Sequence, residues 1–188
     1  MNDVPIRLLG NGGFARELAS YLRETGPNNY MPTLYDSREA ETGDYWTPTL
    51  IAVGDPALRA KITAEFEDAF WTVYSWREWD DSCQLSEGVI VCPGTIITVN
   101  VTLLRHVLLN LNCTVGHDTL IGPYSVVSPG ANISGHVSIG AGCYIGTGAA
   151  LREGVTLASD VTVGAGAVVV KDIVEAGTYV GVPARRIA

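Results

Sequence analysis

The chain has 188 residues, 47% apolar and 17% charged, a composition that suits a globular chain with a sizeable core and excludes a disordered one. Its net charge is −8, with twelve Lys and Arg set thinly against twenty acids, which argues against a polyanion such as nucleic acid as partner. No apolar run reaches the roughly 18 residues of a membrane span, and the start, Met1 to Arg7, lacks the basic end and apolar stretch of a signal peptide, so a cytoplasmic chain without membrane contact is expected.

In chain order, residues 5–9 read as a strand running into Gly10-Asn11-Gly12-Gly13-Phe14-Ala15. Phe14, Leu18, Tyr21 and Leu22 then fall at helical spacing, and Gly26-Pro27 ends that helix. Residues 31–35 read as a second strand ending in Asp36, and 49–55 as a third. Asp55 is placed to cap a helix with Pro56 at its first position, and Leu58, Ile62 and Phe66 would give that helix its buried face. Trp71 to Tyr74 read as a fourth strand, and Ser75 to Ser82 as the connection to the C-terminal half of the chain. The loop has the form G-x-G-x-x-A between strand and helix, so its N–H groups suit a phosphate, with Asp36 at a distance suited to a ribose hydroxyl. Gly10, Gly12, Gly13, Phe14 and Asp36 are the candidate nucleotide-side residues. About 80 residues are too few for a full dinucleotide domain, so a redox role is not expected.

From Leu85 the pattern changes. Every sixth residue to Val169 is Leu, Ile or Val, fifteen in a row, and the residue four places after each is small or β-branched. Period six is neither helical nor simple alternation; it suits a short strand and a tight turn, three of which close a triangular coil of 18 residues. Fifteen units make five coils over residues 85–174, stacked in parallel at strand spacing and stable only as a stack. The fold expected is a β-solenoid behind a small α/β domain, with domains at 1–80 and 81–188. Gly116, Gly122, Gly140, Gly146 and Gly164 follow aliphatic positions, where glycine would supply corner dihedrals. Cys83, Cys92, Cys113 and Cys143 form no C-x-x-C pair, so they read as small apolar residues without zinc chemistry.

The step of 18 also locates a site. His117 lies at an outward corner, followed by Asp118, and one coil later come Gly135 and His136. Two imidazoles, a carboxylate and a glycine backbone share one patch, whereas His106 belongs to another part of the prism without an acidic stacking partner.

With the Gly-rich loop, the period of six, Asn110 through His117-Asp118, and the ending Gly181-Val182-Pro183-Ala184-Arg185-Arg186, the whole chain resembles the hexapeptide-repeat sugar acetyltransferases of the sialic acid O-acetyltransferase and bacillosamine-pathway N-acetyltransferase type. The resemblance implies a left-handed parallel β-helix, a homotrimer, and acetyl-CoA as co-substrate in the groove between subunits, with no metal. It implies that the front domain holds a nucleotide-linked amino sugar, that His117 is the general base steadied by Asp118, and that the Gly135 N–H receives the oxyanion. Asn110 would be on the sugar side; His136, Gly146, Ala149, Gly164, Lys171 and Arg185 would meet coenzyme A, with Arg186 nearby. Val126 stands nine residues after His117, where members often carry a second histidine, which leaves the acyl chain open. O-acetylation of a sugar hydroxyl is the nearest alternative, and a γ-type carbonic anhydrase or a silent trimeric scaffold the more distant ones.

Overall fold

An aliphatic residue at every sixth position is buried throughout only if each unit turns through the same angle as the last. The structure, a computed structural model that describes residues 4–25, 30–35, 47–65 and 79–187, shows this arrangement as a left-handed β-helix of five coils. The first face carries Gln84–Leu85, Thr102–Leu103, Leu120–Ile121, Ser138–Ile139 and Thr156–Leu157. The second carries Ile90–Val91, Leu108–Leu109, Val126–Val127, Tyr144–Ile145 and Val161–Val163. The third carries Ile96–Ile97, Thr114–Val115, Asn132–Ile133, Ala150–Leu151 and Val168–Val169. Each strand pairs in parallel with the strand 18 residues on, as Val115 does with Ile133 and Leu103 with Ile121. The prism is filled by the aliphatic set and by the small residues four places later, from Val89 to Ile173.

The corners correct one expectation. The left-handed dihedral falls at the fourth residue of each unit, at Asn100, His106, Asn112, Asp118, Tyr124, His136 and Asp160 as well as at several glycines. Gly116 and its equivalents have ordinary dihedrals and serve another purpose. A Cβ on Gly116 would stand 2.5 Å from the Gly135 nitrogen, and one on Gly146 2.6 Å from the Ala165 nitrogen. Glycine is there because the next coil's backbone passes against it. The third residue's N–H is not used by the inter-coil ladder, which is why Pro93, Pro123 and Pro129 sit at that position without cost. Where the interior residue is polar, its hydroxyl bonds backbone: Ser125 Oγ donates to the Gly140 carbonyl at 2.9 Å and accepts from the Cys143 N–H at 3.0 Å.

The front domain is a three-stranded parallel sheet with β1 (Val4–Leu9) between β2 (Tyr30–Tyr35) and β3 (Thr49–Ile51). Helix α1 (Gly13–Thr25) follows β1, and α2 (Pro56–Glu65) follows β3. Asp55 caps α2 as expected, its Oδ1 accepting the Leu58 N–H at 2.7 Å. The expected fourth strand at 71–74, Phe66, and the Gly26-Pro27 stop lie outside the described residues. The domain rests on the second face of the prism: Ile6, Leu8, Ala15, Leu18, Ala19 and Leu22 pack with Ile90, Cys92, Leu108 and Val126 in one apolar cluster.

Helix α2 departs from its expected face. Leu58 is exposed, and Arg59 is buried beside Ile62. Arg59 reaches across the domain junction, donating from Nε and Nη2 to the His106 carbonyl at 3.1 and 2.9 Å and from Nη1 to the Ile51 and Val53 carbonyls. Four hydrogen bonds satisfy the guanidinium, so the stripe of α2 facing inward is set by polar satisfaction as well as hydropathy. Burial lowers its pKa to about 10, which leaves it charged. The four cysteines are free, and Cys92, Cys113 and Cys143 are buried; burial pushes the Cys92 thiol up to about 12. No helix among the described residues is long and apolar enough to cross a membrane.

Candidate active site

The edge where the third face turns into the first carries His117 and Asp118, and one coil later Gly135 and His136. Backbone fixes their register, the His136 N–H donating to the His117 carbonyl at 2.8 Å. His117 Nδ1 lies 2.8 Å from Asp118 Oδ2, and His136 Nε2 lies 3.7 Å from the same oxygen. The two imidazoles meet edge to face with centroids 4.9 Å apart. The ladder continues upward one coil. The Asn100 side-chain amide donates to Asp118 Oδ1, and the Asn100 N–H donates to Ser82 Oγ at 2.7 Å. Asn100 was missed in the sequence, although the same step of 18 back from Asp118 reaches it.

These contacts assign protons. The Asn100 amide, and after it the His117 imidazole, hold the Asp118 carboxyl below its ordinary value, so it is ionised at neutral pH. An ionised carboxylate only accepts, so in the neutral His117 ring Nδ1 carries the proton and Nε2 the lone pair. The imidazole lies against Gly135, where an added Cβ would stand 2.7 Å from Nε2. The Gly135 carbonyl accepts from the Gly154 N–H at 3.0 Å. Its own N–H, in the third position of its unit, meets no acceptor among the described residues, whereas the equivalent N–H of Ala141 is taken by Ser159 Oγ. A lone pair on Nε2 and an unspent N–H donor beside it are the two parts that acyl transfer requires.

Lys171 lies on this same edge after the fifth coil, about 14 Å along the stack from His117 at strand spacing. It lines a cavity of about 180 Å³ together with Asp172, Arg185 and Arg186. Arg186 is paired with Glu175 at 3.0 Å, while the exposed Arg185 side chain donates to the Ala184 carbonyl at 2.9 Å. Three expected residues fall elsewhere. Asn110, Gly146 and Gly164 occupy one stacked position on the edge between the second and third faces, a full face away from His117. Asn110 Oδ1 is spent on the Leu111 N–H at 2.8 Å. Ala149 is completely buried inside the prism, so its side chain is closed to any ligand; the position four after an aliphatic residue points inward.

Gly10, Gly12, Gly13 and Phe14 line a cavity of about 590 Å³ that also touches Val53, Gly54 and Lys61. Gly10 has φ 140°, and a Cβ there would stand 2.6 Å from the Ala52 carbonyl oxygen. A second cavity, about 820 Å³, shares Val53 and Gly54 with it and runs between the start of α2 and Tyr144, Asp160 and Thr162 of the prism. Asp36 lies outside the described residues. Val126 is buried under the front domain, which accounts for its apolar character and removes it from the surroundings of His117. His106 is also buried, stacked on Tyr124 with ring planes 4° apart, and burial followed by Arg59 and Arg105 pushes it down to about 4. It sits on the edge between first and second faces, and its burial closes it to a metal shared with the exposed His117 and His136, as an anhydrase centre would need.

The family of the bacterial transferase hexapeptide (six repeats) matches residues 136–171. The repeat that this family describes is the one that builds the coils of the prism. No curated protein sequence matches the chain. Solved structures do. This hexapeptide-repeat chain is similar to the acetyltransferase domain of PglB from Neisseria gonorrhoeae in complex with acetyl coenzyme A, with 28% identity over 99% of this chain and 100% of that one at a TM-score of 0.86. It is similar to PerB from Caulobacter crescentus in complex with CoA and GDP-perosamine, with 27% identity over 98% of this chain and 97% of that one at a TM-score of 0.85. It is also similar to WeeI from Acinetobacter baumannii, with 26% identity over 99% and 100% of the two chains at a TM-score of 0.83. These likenesses span both the β-helix and the front domain.

Proposed function

We propose that this protein transfers the acetyl group of acetyl-CoA to an amino group of a nucleotide-linked sugar. The observation that carries the reading is His117, with Nδ1 donating to Asp118 and Nε2 set against Gly135. The full-length likeness to a CoA and GDP-perosamine complex supports an amino sugar over a sugar hydroxyl. His117 Nε2 takes the amine proton as nitrogen attacks the thioester carbon. The oxyanion forms beside the Gly135 N–H. When the carbon–sulfur bond breaks, the imidazolium returns its proton to the thiolate. No covalent enzyme intermediate is needed, in keeping with three buried thiols and a fourth, Cys83, packed against the core of the prism. Coenzyme A runs down the edge past His136, its phosphates toward Lys171 and Arg185. The nucleotide occupies the Gly-rich cavity, and the sugar extends across the junction cavity.

The geometry also supports shared sites. The His117 edge is opposite the face on which the front domain rests, so a sugar held at one chain's Gly-rich loop faces away from that chain's own His117. A homotrimer, in which one copy's loop faces the neighbour's edge, brings the two together.

The test is release of free thiol from acetyl-CoA in the presence of GDP- and UDP-linked amino sugars, for the wild type and for His117→Ala. Turnover with an amino sugar and a loss of about a hundredfold or more in the variant are expected. Transfer at an undiminished rate by His117→Ala removes the general-base role; no turnover with any amino sugar removes the substrate class.

A further inference from the structure

The proposed reaction uses His117 Nε2 and the Nδ1 contact with Asp118, and gives no role to the approach of His136 Nε2 to that same carboxylate oxygen. His117 Nδ1, Asp118 Oδ2 and a nitrogen of His136 converge, their ligand atoms all within 4.8 Å of one another, and all three side chains are exposed. The separations of 2.8 and 3.7 Å from Asp118 Oδ2 bracket the spacing, about 3.3 Å, that ligand atoms adopt around an ion bound at roughly 2.0–2.1 Å. Two imidazoles and one carboxylate suit a borderline ion such as Zn²⁺, not Mg²⁺ or Ca²⁺, which prefer all-oxygen sites. Support for the ligands is already built. The Asn100 amide holds the second carboxylate oxygen, and the His136 N–H to His117 carbonyl bond fixes the backbone of one ligand against that of another.

We propose that His117, Asp118 and His136 bind a divalent zinc-like ion, as an inhibitor and not as a resident cofactor. The consequence rests on the general-base reading. An ion on Nδ1 displaces the ring proton to Nε2, so the lone pair that accepts the substrate proton is lost while no residue leaves its place. No proton is gained or lost: the ring proton moves from Nδ1 to Nε2, and the ion takes the place of the Nδ1–H hydrogen bond to Asp118 Oδ2.

Two measurements separate the site from the reaction. The first is calorimetric titration of the apo protein with zinc chloride alone, in a Cys83→Ser background that removes the half-exposed thiol. Saturable binding of one ion per chain is expected, with no heat from magnesium. His136→Asn and Asp118→Asn keep residues that tolerate the left-handed dihedrals of these positions, φ 56° and 57°. Each should weaken zinc binding more than about tenfold, and Asn100→Gly, which removes the side-chain amide from the carboxylate and tolerates the left-handed φ of 54° there, by about tenfold. Absence of saturable binding, or binding unchanged in both ligand variants, overturns the proposal whatever the reaction proves to be. The second measurement is acetyl transfer with added zinc. Loss of rate restored by a chelator supports the inhibitory role, and full activity with the site loaded overturns it.

Discussion

At the scale of residues, one chain of contacts runs along a single corner: Ser82, Asn100, Asp118, His117 and His136. Ser82, Asn100, Asp118 and His136 follow one another at 18 residues and His117 adjoins Asp118, so the step that explains the fold also explains the site. That step brought out Asp118, Gly135 and His136 from the amino-acid order alone. What it did not convey is the direction of each group. Asn110, Gly146 and Gly164 obey the same arithmetic on another edge, because stacking arithmetic says which residues are neighbours and not which edge they share with His117. Gly135 permits a sharp test of the proposed site. The three atoms nearest a methyl there all belong to the His117 ring, the first at 2.7 Å, so Gly135→Ala should displace the imidazole. A misplacement of this size is expected to cost about a hundredfold in kcat, with the thermal midpoint within a few degrees of wild type. Steady-state rates and a melting curve on the same sample check both halves; a normal kcat would detach His117's position from the chemistry.

At the scale of elements, the unit of six has two kinds of glycine with different physics. Those in the fourth position accept a left-handed dihedral, which Asn, Asp and His also fill at equivalent corners. Those in the second position accept the backbone of the next coil, which no side chain can share. Gly116→Ala should therefore destabilise by about 1–3 kcal/mol through overpacking. Gly154→Asn, at φ 76° with open space around its Cα, should stay within about 0.5 kcal/mol. Denaturant titration separates the two, and equal losses would refute the distinction. Composition hides this difference, since both are simply Gly at period six. In α2 the spacing pointed to Leu58, and the structure turned Arg59 inward instead, because carbonyls of β3, its following loop and His106 converge where only a long donor reaches them.

At the scale of the whole molecule, the front domain and the β-helix share an apolar cluster on the second face, on the far side of the prism from His117. The proposed homotrimer predicts complementation. A chain carrying His117→Ala and one carrying a disrupted Gly-rich loop, Gly12→Asp with Gly13→Asp, should each be inactive. Refolded together, they should regain a fraction of wild-type transfer, because some interfaces then combine an intact loop with an intact edge. Activity assayed before and after mixed refolding reads this directly; no recovery in verified mixed oligomers would place the whole site within one chain.

The amino-acid sequence by itself determined the solenoid, its five coils and the grouping of His117, Asp118, Gly135 and His136, because a strict period of 18 turns sequence separation into spatial adjacency. It also marked the Gly-rich loop, since a close approach such as that of Gly10 to Ala52 admits no Cβ. Only the tertiary structure decided which face the front domain covers, that Val126 and His106 are buried and that Ala149 is closed to ligands. Those outcomes depend on how two separately coded units pack against each other, and packing between units has no period to read.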